Sequence, residues 1–258
     1  MIQVQTFSKG KTQEKNEDYF DYNDTCFVIA DGVTDKSDKK YGGKTGGELI
    51  SRLVVKQALS SALTGVSLIN FLNKKVSELY KDLGITNDIK DPKYRFACGC
   101  IVVKIVKEKI IITYIGDLGF RINGNKIHQE IKQLDIDNAE ERSGYIKKTG
   151  DINGSREHIM PSLLKQFEYQ NNPHHTLGYG VVDGTDTPSK FVKVFEYPKD
   201  EIHMIELFSD GYFAVPSGNT IASWEDAFEK VEKEDPDKYK KYKSTKSKDD
   251  RTIAIIKL

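Results

Sequence analysis

The chain has no net formal charge, because 39 lysines and arginines balance 39 aspartates and glutamates. That balance removes any general electrostatic argument for nucleic acid or an anionic membrane surface as partner. No apolar run approaches the roughly 20 residues a membrane helix needs. The opening segment, MIQVQTFSKGKTQEKNEDYF, lacks the apolar stretch of a secretory signal. Cysteine is scarce: Cys26, Cys98 and Cys100 form an odd set without disulfide-scaffold spacing. They read as reduced core thiols of a cytoplasmic protein, with Cys98 and Cys100 on one face of a strand. Zinc-type Cys and His spacing is missing, as are heptads, repeats and any obvious linker.

What is present is acid, placed where apolar runs begin or end. Asn16-Glu17-Asp18, Asp31-Gly32, Asp210-Gly211 and Asp249-Asp250 each adjoin a hydrophobic segment. Such clusters, brought together at one rim of a sheet, repel themselves unless a cation neutralises them. Aspartates alone would favour a hard ion, Mg²⁺ or Mn²⁺. The clusters lie near both ends of the 258 residues, so a shared site requires one domain, 1–258, whose termini meet. A hydrophobic fraction of 38% suffices for one core at this length.

Periodicity predicts strands over 2–6, two more within 19–30, a meander over 96–130 and strands at 190–196, 202–208 and 252–256. Leu49, Ile50, Leu53, Val54, Ala58 and Ala62 follow helical spacing, and Leu68 to Leu83 do so more clearly. A further helix is expected over 224–232. Residues 131–188 are polar with little periodicity and read as an irregular, flap-like excursion with one short helix near 160–167. The lysine-rich segment 233–248 reads as a solvated face. Strands in runs and helices in pairs argue α+β with antiparallel sheets.

Asp31 and Asp210 each end an apolar strand and Asp249 precedes one. A last strand antiparallel to the other two therefore sets all three acids on one rim, with Asp18 able to join them. Glycine after Asp31 and Asp210 permits a sharp turn. Three carboxylates around two ions would be a two-metal hydrolase site. An Asp-Gly after a strand is equally the mark of a turn, and spacing leaves both readings open.

In order along the chain, these segments resemble the metal-dependent serine/threonine phosphatases of the protein phosphatase 2C family, in its compact bacterial type. Asn16-Glu17-Asp18 resembles the first motif and Phe27-Val28-Ile29-Ala30-Asp31-Gly32-Val33 the second. Gly47-Glu48-Leu49-Ile50-Ser51 resembles the helix start that follows. Ile115-Gly116-Asp117, Leu207-Phe208-Ser209-Asp210-Gly211 and Asp249-Asp250-Arg251-Thr252 resemble the remaining motifs. The resemblance implies a four-layer αββα sandwich of two mainly antiparallel sheets flanked by helices. It implies two Mn²⁺ or Mg²⁺ ions bridged by Asp31, with Asp210 and Asp249 completing one and the Gly32 carbonyl binding the other. Asp18 and Glu17 would hold metal-bound waters, and Asp117 would bind a weaker third ion with Asp210. Asp18, Asp31, Asp210 and Asp249 are the catalytic candidates. The reaction implied is in-line attack of metal-activated water on phosphoserine or phosphothreonine. The partner is a phosphorylated protein, in the pathway of a serine/threonine kinase.

The chain also departs from the pattern. Gln13 stands where the family usually has an arginine for the substrate phosphate, and an amide cannot form the charged bidentate clamp. Lys11 or Lys15 would be point-charge substitutes. Thr34-Asp35-Lys36-Ser37-Asp38 replaces a glycine-rich segment, and Gly119 stands where an arginine is usual. Two alternatives follow: a pseudophosphatase that binds or regulates, and a hydrolase of another phosphate ester. His174-His175 read as plain loop residues, and Arg156 and His158 as weaker candidates for substrate contact.

Overall fold

The computed structural model describes residues 2–13, 15–34 and 39–258. Ten strands form two antiparallel sheets of five. The first sheet joins β1 (Gln3–Lys9), β10 (Arg251–Lys257), β9 (Met204–Phe208), β6 (Gly119–Ile122) and β7 (Lys126–Gln129), in that order. The second joins β2 (Asp18–Tyr22), β3 (Cys26–Gly32), β4 (Cys98–Val106), β5 (Lys109–Ile115) and β8 (Lys193–Pro198). The first and last strands of the chain are neighbours, with Thr6 opposite Ala254.

The continuous apolar runs follow from cover on both faces of each sheet. Alternate residues of a strand point to opposite sides. Phe27, Ile29, Ile101 and Val103 pack against Phe120, Leu207, Ala254 and Ile256 between the sheets. Val28, Ala30, Cys100 and Val102 point the other way, onto Ile50, Val54, Leu68, Leu72 and Val76. Those belong to α1 (Gly46–Ser60) and α2 (Gly65–Asp82). On the far side Phe208, Ile253 and Ile255 pack on Trp224 of α5 (Ile221–Glu234). The order is helices, sheet, sheet, helix, as the family resemblance implies. Each fully buried aliphatic or aromatic side chain contributes about 1.5–3 kcal/mol to this core. Cys26, Cys98 and Cys100 are free and buried, the last two on one face of β4 as expected. No helix among the described residues is long and apolar enough to cross a membrane.

The excursion over 131–188 is not irregular as far as Tyr169. It folds into α3 (Gln133–Thr149) and α4 (Ser155–Tyr169), which pack on each other. The stripe that α3 buries is half polar: Leu134, Asn138, Ala139, Arg142, Ser143 and Ile146. A helix with such a face shows no apolar period in its sequence. Its polar members serve a purpose. Arg142 Nη1 donates to the carbonyls of Asp237 (3.0 Å), Lys238 (3.1 Å) and Ser244 (3.0 Å). Ser143 Oγ donates to the Tyr239 carbonyl at 2.6 Å.

These bonds pin most of the lysine-rich segment 233–248, expected as a solvated face, into an ordered strap that follows α5. Asp235 organises its start by accepting from the backbone N–H groups of Tyr239, Lys240, Lys241 and Tyr242 at 2.8–3.2 Å. Lys238 is fully buried against Glu232. The run is solvated only in part, because its main chain closes one side of a cavity.

Candidate metal centre

Strand direction brings the acids together. β3 runs out through Asp31-Gly32, β5 runs into Asp117, β9 into Ser209-Asp210, and β10 starts just after Asp249-Asp250. Asp18, at the start of β2, is the register partner of Asp31. A cavity of about 530 Å³ opens at this rim, and Asp31, Gly32, Asp117, Asp210 and Asp249 all line it. Lys132, Arg156 and Lys246 line it as well.

The backbone around Gly32 is drawn in tightly. Its N–H donates to the Glu17 carbonyl at 3.1 Å. A Cβ at Gly32 would stand 2.3 Å from the Gly47 carbonyl oxygen, so the second motif and the start of α1 touch only because this residue is glycine. Thr45 caps that helix: its hydroxyl accepts from Glu48 N, and the Glu48 carboxylate accepts from Thr45 N. The same hydroxyl donates to Glu17 Oε1 at 2.8 Å, tying the first motif to the helix start.

Asp18 and Glu17 lie behind the cavity wall, both almost wholly buried. Asp18 Oδ2 accepts from Ser209 Oγ at 2.6 Å, whereas Oδ1 is buried without a partner. Burial, reinforced by Asp250, Asp249 and Asp210, pushes the Asp18 carboxyl up to about 8 against the pull of the Ser209 bond. Burial raises Asp31 well above the usual carboxylate range, with Asp18, Asp117 and Asp249 adding to it. Asp210 is raised by burial together with Asp249, Asp31 and Asp117. These acids thus act on one another electrostatically across the rim.

Three lysines answer parts of this charge. Lys11 pairs with Glu17 and reaches Asp250 Oδ2 at 3.3 Å, and it outweighs burial to hold Glu17 below its ordinary value. Lys132, 2.7 Å from Asp117, likewise outweighs burial and lowers that carboxyl. Lys246 lies 2.5 Å from Asp249 Oδ2. Asp250, which the sequence marked only as the neighbour of Asp249, is a structural link. It accepts from Lys11 N at 2.6 Å and Glu17 N at 3.1 Å and so joins the two ends of the chain.

Among the described residues no three His, Cys, Asp or Glu side chains already close into a group able to hold an ion. The donor chemistry nevertheless fits a hard divalent cation. The acids lining the cavity are half-buried and mutually repelling, the buried Asp18 Oδ1 lacks a donor, and among the described residues no histidine or cysteine lines the cavity. Gln13 is exposed and Lys15 half-buried, and neither lines the cavity. Residues 35–38, the charged replacement for a glycine-rich segment, lie outside the described residues. Gly119 faces the ring of Phe208, where a Cβ would come within 2.2 Å. His175 accepts from Leu177 N at 3.1 Å and stacks on Tyr169, a loop role; His158 stacks on Tyr145 and meets Glu141 at 3.2 Å. Lys132 and Lys246 escaped the sequence reading because nothing separates a pocket lysine from a solvated one in so charged a segment.

No family model matches the chain, and no curated protein does. Solved structures do. The serine/threonine phosphatase Stp1 from Staphylococcus aureus superposes with a TM-score of 0.55 at 18% identity, covering 100% of this chain and 95% of that one. The Mycobacterium tuberculosis serine/threonine phosphatase PstP/Ppp gives 0.53 at 13% identity, covering 100% and 98%. The PstP catalytic domain in complex with two manganese ions gives 0.54 at 12% identity, covering 99% and 97%. The chain therefore has the fold of these bacterial phosphatases over its whole length.

Proposed function

We propose that the chain is a metal-dependent phosphoprotein phosphatase of the protein phosphatase 2C type, acting as one unit on phosphoserine and phosphothreonine. One observation carries this: Asp31, Asp117, Asp210 and Asp249, far apart in sequence, line a single cavity at one rim of the paired sheets. In this reading Asp31, Asp210 and Asp249, with the Gly32 carbonyl, hold two Mn²⁺ or Mg²⁺ ions, and Asp117 with Asp210 a weaker third. Bound there, such ions acidify water and offset phosphoryl charge.

The chain's own groups do the rest. Asp18 and Glu17 orient ordered water from behind the wall, and the unpartnered Asp18 Oδ1 needs such a donor. Ser209, bonded to Asp18 Oδ2 and donated to by Thr252 N at 2.9 Å, fixes the acid that follows it at Asp210. Arg156, on the cavity wall, supplies positive charge for a substrate phosphate that the exposed amide of Gln13 does not. Phosphoproteins, delivered by a kinase pathway, are the substrates. A cytoplasmic setting, in keeping with three unpaired thiols, belongs to the same proposal.

The test is Mn²⁺-dependent phosphate release from a phosphothreonine peptide, run beside p-nitrophenyl phosphate and non-protein esters. Release that a chelator abolishes, and that Asp31→Asn and Asp210→Asn remove, supports the reading. Preference for a non-protein ester would reassign the substrate. The Lys246–Asp249 and Lys132–Asp117 pairs favour a second reading, a pseudophosphatase that binds phosphoproteins without turnover. A folded protein inactive with every metal and ester would select it.

A further inference from the structure

The proposed metal site contains a positive charge of its own. Lys246 projects from the strap into the cavity, and its ammonium is 2.5 Å from Asp249 Oδ2, with Asp210 and Asp31 as its next strongest charged neighbours. Its side chain keeps 25% of its exposure, whereas that of Asp249 keeps 7%. The other two lysines at this rim answer different acids: Lys11 serves Glu17 and Asp250, and Lys132 serves Asp117. Lys246 alone of the three faces the acids assigned to the two principal ions.

We propose that Lys246 is a tethered cation that occupies the Asp31–Asp210–Asp249 cluster ahead of divalent metal and must swing out when metal binds. The inference rests on the metal-site reading above. An ammonium and a divalent ion on the same half-buried carboxylate repel at contact distance, so the two states exclude each other. The fold allows the exchange without unfolding the strap. Arg156 Nη1 holds the neighbouring Thr245 carbonyl at 2.7 Å, and Arg142 holds that of Ser244, so the main chain stays fixed. The flexible four-carbon stem of the lysine can rotate into the open cavity of about 530 Å³. The device steadies the metal-free protein by neutralising part of a repelling cluster, at the expense of metal affinity.

Two measurements test this, neither of them an activity assay. In the wild-type protein, lysine acylation read by mass spectrometry is expected to rise several-fold at Lys246 on addition of Mn²⁺, relative to exposed Lys107. Calorimetric titration of Lys246→Met is expected to give Mn²⁺ binding about tenfold tighter than wild type, the loss of one close like charge. Unchanged or reduced labelling of Lys246, or equal or weaker binding by the variant, would overturn the inference. If wild type binds Mn²⁺ and hydrolyses phosphopeptide while Lys246→Met binds no tighter, only the inference falls. If neither protein binds Mn²⁺, the metal-site reading falls with it. Should Lys246→Met fail to fold, the wild-type labelling decides alone.

Discussion

Strand β9 and the turn that follows it carry two acids four residues apart, the buried Glu206 and the half-buried Asp210, and the protein treats them in opposite ways. Glu206 is matched on every side. Arg121, its register partner on β6, donates Nε to Oε2 and Nη2 to Oε1, both at 2.5 Å, and Trp224 Nε1 donates to Oε1 at 2.9 Å. The rest of the guanidinium is used up on the carbonyls of Pro216 and Gly218. Asp210, just past the strand's end, has Asp249, Asp31 and Asp117 as its charged neighbours instead, offset only by Lys246. A closed network fixes structure and leaves nothing for a ligand. An open, self-repelling one costs stability and holds that cost ready to be relieved by a cation.

Opposite responses to substitution would make the contrast measurable. The largest effect is expected at the closed site: Glu206→Ala strands a buried guanidinium and should cost about 3–5 kcal/mol in chemical denaturation. A loss below about 1 kcal/mol would show that the network is not load-sharing in this way. Asp210→Asn should do the reverse to metal-free stability, raising it slightly by removing repulsion. Phosphate release should meanwhile fall about a hundredfold or more, equivalent to about 2.7 kcal/mol of barrier. Loss of both stability and activity would place Asp210 in the structural class.

A pH titration sharpens the same comparison. The folded-state pKa values of Asp18, Asp31 and Asp210 are raised, Asp18 to about 8, chiefly by burial. Folded protein therefore keeps these protons after the unfolded chain has released them. Their contribution to stability is fully present below the ordinary carboxylate pKa of about 4 and is lost as pH rises through each raised folded-state pKa, which for Asp18 is about 8. The melting temperature in chelator should fall across that window, and Asp18→Asn should flatten the fall. A melting temperature that rises with pH there, with a slope indifferent to Asp18→Asn, would contradict the reading. The smallest effect is expected at the hinge between motif and helix: Thr45→Ala removes a cap and a bond to Glu17, for about 1–2 kcal/mol by thermal denaturation.

The same two kinds of site explain what could be read from sequence. Cys26 to Ala30 and Met204 to Phe208 are strands covered on both faces, so their apolar runs announce them and the acids at their ends mark the rim. Helix α3 hid because Asn138, Arg142 and Ser143 occupy positions where an apolar stripe would otherwise show. The strap hid for a related reason: its order comes from main-chain carbonyls bonded by Arg142, which leave no trace in residue type. Asp249 was legible beside the last strand, but the lysine three residues before it was not, since only the folded strap turns Lys246 inward.

Anomalous diffraction from crystals soaked in Mn²⁺ tests the central claim most directly. The account predicts two strong peaks inside the cavity, with Asp31 contacting both and the Lys246 ammonium withdrawn from Asp249. A clean cavity, with Lys246 still seated on Asp249 at saturating Mn²⁺, would contradict it.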